Sequence, residues 1–422
     1  MPESAPPQTA APRRDALAAL RYAEFRNVLA GVFLFTIAVL VQEVALGYEL
    51  YTLTRDPLVL GLLGLAEAVP FIALALFGGH VADRYDRRRI MLLALSFVLC
   101  SSVVLLWVTL PQTRARIAQS TLLATIYGVI AALGLARGFF SPAASSLTAF
   151  IVPREIYGNA SAWRSACWQA GAILGPLCAG FLYAAAGLTG TLALVLALML
   201  AALLLFRGLR PRPPAPAATP GESLRQSVRQ GIGFVFGNRI ILYSISLDLF
   251  SVLFGGVVAI LPIFAADILH AGAEGLGVLR AAPSLGAMLT ILACTRHPPT
   301  RHAWRNLLVV VTGFGVATLL FALSRSFWLS VLLLFLTGAF DSVSVVIRGT
   351  ILQMLPPDHL RGRVVSVNSI FVTVSNELGA FESGVAARLM GTVPSVVFGA
   401  SITLITVLYV WRRSKELFAV RL

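Results

Sequence analysis

Six acidic residues lie inside long apolar segments of the 422-residue chain. On insertion scales, an ionised and unpaired acid at the centre of a membrane helix costs about 2.5–3.5 kcal/mol. Such residues should face a cavity, pair with arginine, or hold a proton because desolvation disfavours the charged form. A carboxyl group that gains and loses a proton as a cavity opens is the physical basis of proton coupling. The six acids are Glu43, Glu67, Asp248, Asp341, Glu377 and Glu382.

Four of these acids are the leading candidates for a proton-coupling or substrate cavity: Glu43, Asp248, Asp341 and Glu377. Glu67 and Glu382 are expected nearer the outer surface, as gating or hydration residues. Two arginines, Arg137 and Arg348, join the candidate cavity. Asp341 and Arg348 are two turns apart on one helix face. A second hypothesis pairs Arg137 with Asp341 in a state-dependent interaction, and the alternative is two unrelated polar sites.

The composition predicts the elements that must position these charges. The chain is 58% hydrophobic and 12% charged, with a mean hydropathy of +0.84, whereas soluble proteins carry about 25% charge. One soluble core does not hide so many apolar residues, so the excess should face lipid. This excludes a soluble enzyme, a disulfide scaffold, a disordered chain and a coiled coil.

Apolar runs long enough to cross a membrane number twelve, since a spanning helix needs about 20 residues. Long continuous runs without alternation disfavour a β-barrel, so the fold class is an all-α membrane protein. The predicted spans are 28–53, 58–81, 89–110, 118–141, 158–185, 188–207, 239–267, 274–295, 305–324, 327–352, 363–389 and 393–412.

The net charge of +14 reflects the arrangement of basic residues between these spans. With both termini in the cytoplasm, 24 of the 33 basic residues fall on the cytoplasmic side and four on the other. The positive-inside rule predicts this topology. The basic balance is therefore no evidence for nucleic-acid binding, and the polar N-terminus is expected to be a cytoplasmic tail rather than a signal peptide.

The two halves of the chain share an internal repeat. At a shift of 204 residues five positions match, of which four are Pro or Gly and one is Ile or Leu: Pro153 with Pro357, Gly158 with Gly362, Gly175 with Gly379, Gly180 with Gly384, and Ile156 with Leu360. Transporters use such repeats, with the substrate site between them. The predicted division is an N-terminal six-helix bundle (1–207), a linker with a short amphipathic surface helix (208–238) and a C-terminal six-helix bundle (239–422).

The loop after the second span, residues 79–88, reads GHVADRYDRR. This sequence is similar to the motif G-x-L-A-D-R-x-G-R-[KR] of the major facilitator superfamily. Asp86 replaces the second glycine, and Val81 replaces leucine. The resemblance implies a cytoplasmic latch in which Asp83 faces the helix that begins near Gly362. The matching residues proposed for this gate are Gly79, Asp83, Arg84, Arg87 and Arg88, with Ala82 between them.

A second motif is similar to the superfamily's antiporter motif, G-x₃-G-P-x₂-G-G. It comprises Gly171, Gly175, Pro176 and Gly180, with Ala179 in place of one glycine. The glycines allow close helix approach and the proline bends the helix. The motif accompanies export in the family, although ordinary small-residue packing would look the same. Residues 338–381 resemble the branch that includes enterobactin-type exporters and proton-coupled drug efflux proteins.

The resemblance implies a secondary transporter that exports an amphipathic small molecule, drug- or siderophore-like, by proton antiport and alternating access. The alternative is a carrier for a lysophospholipid or a metabolite with a different direction or coupling. A transport-dead receptor and an intramembrane enzyme are weaker alternatives, since Ser, His and Cys form no recognisable catalytic or metal pattern. The expected partners are the cargo, protons and lipid, with no cofactor. We expect a monomer in the bacterial inner membrane.

Overall fold

The computed structural model describes residues 15–211, 224–299 and 301–419, and it contains helices throughout these ranges without a β-strand. The helices are α1 (Ala23–Thr54), α2 (Pro57–Arg84), α3 (Arg87–Thr109), α4 (Pro111–Arg114), α5 (Gln119–Ile151), α6 (Tyr157–Arg207), α7 (Leu224–Gly237), α8 (Arg239–Gly255), α9 (Leu261–Ile263), α10 (Gly272–Arg296), α11 (Ala303–Leu323), α12 (Phe327–Met354), α13 (Asp358–Met390) and α14 (Thr392–Arg413).

Within the described residues, eleven helical segments are long and apolar enough to cross a membrane, and one of them contains two spans. Helix α6 has 51 residues, more than twice the length that a bilayer requires. Its backbone leaves the helical conformation at Gly187, where φ is 63°. A left-handed φ of this kind is what glycine permits at low cost.

The chain reverses direction at Gly187. The side chain of Asn159 in the first arm accepts a hydrogen bond from Ala19 N at 3.0 Å, and the carbonyl of Arg207 in the second arm accepts one from Arg88 at 2.7 Å. Both contacts lie at one end of the bundle, which we call the basic end. Thr189 follows the reversal, and its hydroxyl donates to Thr109 O at the other end of the bundle. We call this end the opposite end. The two arms are separate spans, which confirms the prediction of twelve.

Polar residues fix several helix starts, because the first N–H groups of a helix lack partners within it. The side chain of Asp56 accepts from Leu58 N before α2, and Asp86 accepts from Arg88 N before α3. Asn238 accepts from Ile240 N and Ile241 N before α8. Asp86, which departs from the superfamily pattern, therefore serves as an N-cap.

The spans form two six-helix bundles, one from α1 to α6 and one from α8 to α14, as the fold class predicted. They meet where α6 crosses α10 and where α2 crosses α13. Glycine lies at both crossings. A Cβ on Gly180 would lie 2.9 Å from the Cα of Gly277, and one on Gly384 would lie 2.6 Å from the Cα of Gly61. Both crossings lie towards the opposite end, so the halves are packed together there.

The span that begins with α8 is broken near the middle of the segment Arg239–Ile268. Helix α8 ends at Gly255, and a 3-10 turn (Val258–Ile260), the short α9 and a π-helical turn (Phe264–Ile268) complete the crossing. The hydroxyl of Ser383 donates to the freed carbonyl of Gly256 at 2.9 Å. Irregular backbone at this depth is tolerated where it lines a cavity or is buried in protein.

Candidate functional site

A central cavity of about 240 Å³ lies between the two halves. Helices α1, α2 and α5 line it from one half, and the α8–α9 break, α10 and α13 line it from the other. Five of its lining residues are ionisable, while most of the rest are small or apolar. The ionisable residues are Glu43, Glu67, Arg137, Arg280 and Glu377.

One ion pair in this cavity joins the two halves. Arg280 on α10 donates to the Glu43 carboxylate on α1 at 2.7 Å, and both side chains are mostly buried. A buried charge is tolerated when it is paired and hydrogen-bonded. Because the partners belong to different halves, a movement of one half relative to the other would change the distance between the two side chains or require both of them to move.

A second ion pair lies within the N-terminal half, where Arg137 on α5 contacts Glu67 on α2. The geometry follows from Gly134, one turn before Arg137. Gly134 has no side chain and lets α5 approach the backbone of α2 at Glu67. The arginine therefore reaches the carboxylate directly, with Phe71 beneath its guanidinium at 5.8 Å.

Glu377 on α13 is the third carboxylate of the cavity, and it forms no ion pair or hydrogen bond with any residue in the described ranges. Both arginines of the cavity are already engaged by other acids. With all five groups ionised, three carboxylates face two guanidinium groups, so the cavity has an excess of one negative charge. Protonation of one carboxyl or arrival of one cation would balance it.

A second acidic cluster lies deeper in the C-terminal half. Asp248 on α8 and Arg348 on α12 form an ion pair at 2.5 Å, with side chains only 6% and 5% exposed. Arg348 also donates to Ser344 Oγ at 3.2 Å. Asp341 shares a cavity of about 10 Å³ with Asp248, a space that holds about one water. Val252 lines both this small cavity and the central one.

The structure corrects three expectations about these charges. Arg137 pairs with Glu67, and Asp341 lies in the other cluster, so the hypothesised Arg137–Asp341 pair is absent from this conformation. Glu67 lines the central cavity and is not confined to a surface gate. The six candidates also do not share one cavity, because Glu43, Glu377 and Arg137 line the central cavity while Asp248, Asp341 and Arg348 form the second cluster.

The sequence reasoning missed the partners of the predicted acids. Arg280 was recognisable as an arginine inside a span, but nothing in the sequence indicates that it meets Glu43 on a distant helix. It also missed a group of polar contacts at the opposite end. There Asp267 accepts from Tyr51 and from Arg55, the latter at 2.5 Å, and Arg388 lies 3.3 Å from Asp56. These contacts join the two halves.

The superfamily-like motif lies at the basic end. Arg87 is buried, donates to Ser146 Oγ at 2.7 Å and has its guanidinium over the Phe150 ring at 4.4 Å. Arg88 donates to the terminal carbonyls of α6, where a cation is favourable. Arg84 is exposed. The side chain of Asp83 and the surroundings of Gly79 lie outside the described residues, so the latch stays a prediction.

The antiporter-like motif lies on the first arm of α6. A Cβ on Gly171 would lie 2.9 Å from Thr36 on α1, and one on Gly175 would lie 2.7 Å from Leu40. The carbonyl of Pro176 and Gly180 face α10 instead, close to Gly277. The motif therefore allows close packing both within one half and between the halves.

This architecture, two six-helix bundles with charges in a cavity between them, defines the class of secondary transporters. The sequence model of the Major Facilitator Superfamily matches residues 28–380, and the chain belongs to that family. It is an integral membrane protein and a transporter. In the described ranges, no three His, Cys, Asp or Glu side chains are grouped so as to hold a metal ion.

Among curated relatives, the enterobactin exporter of Shigella flexneri is 27% identical over 404 residues, covering 91% of this chain and 92% of that protein. The enterobactin exporter of Shigella boydii serotype 4 is 26% identical over 402 residues with the same coverage. Among solved structures, a D-xylose–proton symporter has a TM-score of 0.70 at 17% identity, covering 96% of this chain and all of that one. A bacterial homologue of the lysosomal transporter Spinster has a TM-score of 0.68 at 15% identity, covering 94% and 96%.

Proposed function

We propose that this transporter exports an amphipathic small molecule, drug- or siderophore-like, across the bacterial inner membrane in exchange for protons. The two halves rock about the central cavity and expose it alternately to each side. The similarity to enterobactin exporters over most of the chain supports export of an organic molecule. The polar and apolar lining of the cavity supports an amphipathic cargo.

The observation that carries the proposal is the position of Glu377. It is the one carboxylate of the central cavity without an ion pair among the described residues, and it leaves the cavity with one negative charge in excess. A proton and a cargo group that is cationic or donates hydrogen bonds are alternative ways to satisfy this carboxylate. Competition between them is antiport, because binding of one partner displaces the other.

The other charged residues have supporting roles in this proposal. The Glu43–Arg280 pair links the proton site to movement of the halves, because it crosses between them. Glu67 holds Arg137 at the cavity wall. A second coupling site lies behind Val252. It contains two acids, Asp248 and Asp341, and a single arginine, Arg348.

We propose the orientation of the chain from the distribution of its basic residues. The positive-inside rule supports an orientation with the basic end and both termini in the cytoplasm. In this orientation the halves are packed together at the periplasmic end. We further propose that 1–207 and 239–422 move as units joined by 208–238. A cavity built wholly by one chain supports function as a monomer.

The test is reconstitution in proteoliposomes with an imposed pH gradient and a panel of cationic drugs, siderophores and lysophospholipids. We expect proton flux tied to one cargo class, and we expect Glu377→Gln to abolish gradient-driven transport while cargo exchange without a gradient persists. Glu382→Gln is the matched control, because Glu382 lies on the same helix but lines a separate small cavity. Transport that ignores both the gradient and Glu377→Gln would overturn antiport.

The alternative is a carrier for a lysophospholipid or metabolite with other coupling. The same panel separates the two functions, because that carrier would move a lysolipid or metabolite with no opposing proton flux. The excess negative charge of the cavity favours the exchange mechanism over this alternative.

A further inference from the structure

A second and larger cavity, of about 920 Å³, lies between the halves at the basic end. We call it the lateral cavity. The beginning of α1, the first arm of α6 and the last turns of α10 line it, so it is separate from the central cavity. Its inner limit lies near Gln169, whose side chain donates to Ser284 O on α10 at 3.0 Å. Most of its lining is apolar.

Arg164 is the single charged residue in the lining of this cavity. Within the described residues, four other arginines of the spanning helices form ion pairs, Arg137 with Glu67, Arg280 with Glu43, Arg348 with Asp248 and Arg388 with Asp56. Arg164 forms neither an ion pair nor a hydrogen bond with any residue of those ranges. Because arginines at membrane depth find a counter-charge, this arginine is free to bind an anionic group from outside the described residues.

The surroundings of Arg164 favour a lipid as that partner. It lies seven residues into α6, about 10 Å from the start of the helix, which is a depth near the lipid headgroups. The cavity wall includes Trp168 and Leu292, which are 53% and 59% exposed. A mostly apolar wall with one arginine is complementary to an anionic phospholipid, the abundant anionic amphiphile of a bilayer.

The charge of the central cavity argues against an anionic cargo as the occupant. An anion that moved inward past Gln169 would meet an excess of negative charge whenever the three carboxylates of the central cavity are ionised. The anion held at Arg164 is therefore distinct from the molecule that the central cavity carries.

We propose that the lateral cavity is a binding site for an anionic phospholipid, with its headgroup at Arg164 and an acyl chain between α1, α6 and α10. The site lies between the halves, so closure at the basic end must shrink it and expel the lipid. A ligand stabilises the state that it prefers. Anionic lipid therefore stabilises the conformation that is open at the basic end.

Native mass spectrometry of the full chain tests the site, with phosphatidylglycerol and phosphatidylethanolamine as probes. We expect phosphatidylglycerol to be retained more strongly, and Arg164→Gln to reduce its retention about fivefold, the effect of about 1 kcal/mol for one basic residue. Arg305→Gln is the matched control, because it removes an exposed arginine at the same end outside the cavity. Equal retention by Arg164→Gln and the unchanged protein would overturn the proposal.

A second variant tests the acyl-chain part of the site while keeping the charge. Ala166 lines the cavity and is exposed, so Ala166→Phe should narrow the cavity and weaken phosphatidylglycerol retention. Displacement of bound lipid by the transported cargo would identify the lateral cavity as a cargo site instead and overturn the lipid assignment. This outcome is independent of whether transport is coupled to protons.

Discussion

At the residue scale, the charges within the spans are distributed unequally between acids and arginines. In the central cavity both arginines form ion pairs with other acids, and Glu377 has no arginine partner among the described residues. In the second cluster Arg348 forms an ion pair with Asp248, and Asp341 lies beside that pair. Each cluster therefore has one carboxyl group more than it has guanidinium groups. This shared imbalance makes both clusters sensitive to the addition of one proton or cation.

The Asp248–Arg348 pair predicts a large effect on stability. Arg348→Met leaves a buried carboxylate without its partner, and we expect the free energy of unfolding to fall by about 3–5 kcal/mol. Adding Asp248→Asn should recover most of the loss. Denaturant unfolding in detergent measures both variants. Arg239→Gln, in the exposed Arg239–Glu416 pair, is the control and should change stability by less than about 1 kcal/mol.

A double-mutant cycle separates the two possible partners of Arg137. Neutralising Arg137 and Glu67 together should show an interaction energy of about 0.5–3 kcal/mol, because the side chains are in contact. Arg137 and Asp341 belong to separate clusters, so their cycle should be additive within about 0.5 kcal/mol. Transport rate or unfolding supplies the readout. Strong coupling of Arg137 with Asp341 would show that another conformation brings them together.

At the element scale, glycine determines where the helices cross. Gly134 lets α5 approach α2, and Gly338 lets α12 approach α10 at Pro283. The two positions are related by the same shift of 204 residues as Gly180 and Gly384. The repeat therefore preserves helix crossings within and between the halves. Gly134 and Gly338 thus add a further pair to the internal repeat of the sequence.

The inter-half crossing predicts the effect of added bulk. A Cβ at position 180 would lie 2.5 Å from Ala273 O, so Gly180→Val should force α6 and α10 apart and open the opposite end. Distances between spin labels across that end would measure the shift. Gly158→Val is the control, because Gly158 lies on the same helix with no atom within 4 Å of its Cβ position. Unchanged distances in Gly180→Val would contradict the role of this crossing.

At the scale of the whole molecule, the conformation is set by where the halves touch. They are held together at the opposite end by the glycine crossings and by Asp267 and Asp56, which contact residues of the other half. At the basic end the lateral cavity separates α6 from α10. The alternating access that we propose requires this asymmetry to be reversed.

The polar contacts at the opposite end predict a shift in this balance. Asp267→Asn combined with Asp56→Asn should favour opening there, with each exposed ion pair contributing about 0.2–1 kcal/mol. Labelling of an introduced cysteine in the central cavity from that side is the measurement. Arg114→Gln breaks a comparable 3.4 Å pair with Glu49 inside one half and should leave labelling unchanged. Equal labelling of both variants would mean that helix packing alone, and not these ion pairs, keeps the opposite end closed.

The sequence by itself determined the class of the fold. Apolar runs fix the spans, because the bilayer requires every backbone polar group to be bonded within a helix. The buried acids and arginines were equally visible, because charge in an apolar run stands out locally. Only the tertiary structure decided their partners. Glu43 pairs with Arg280 and Asp248 pairs with Arg348, and the partners are so far apart in the sequence that the period of a helix does not relate them. Helix packing, which the residues specify only collectively, also decided the division into two charge clusters and left Arg164 without a partner among the described residues.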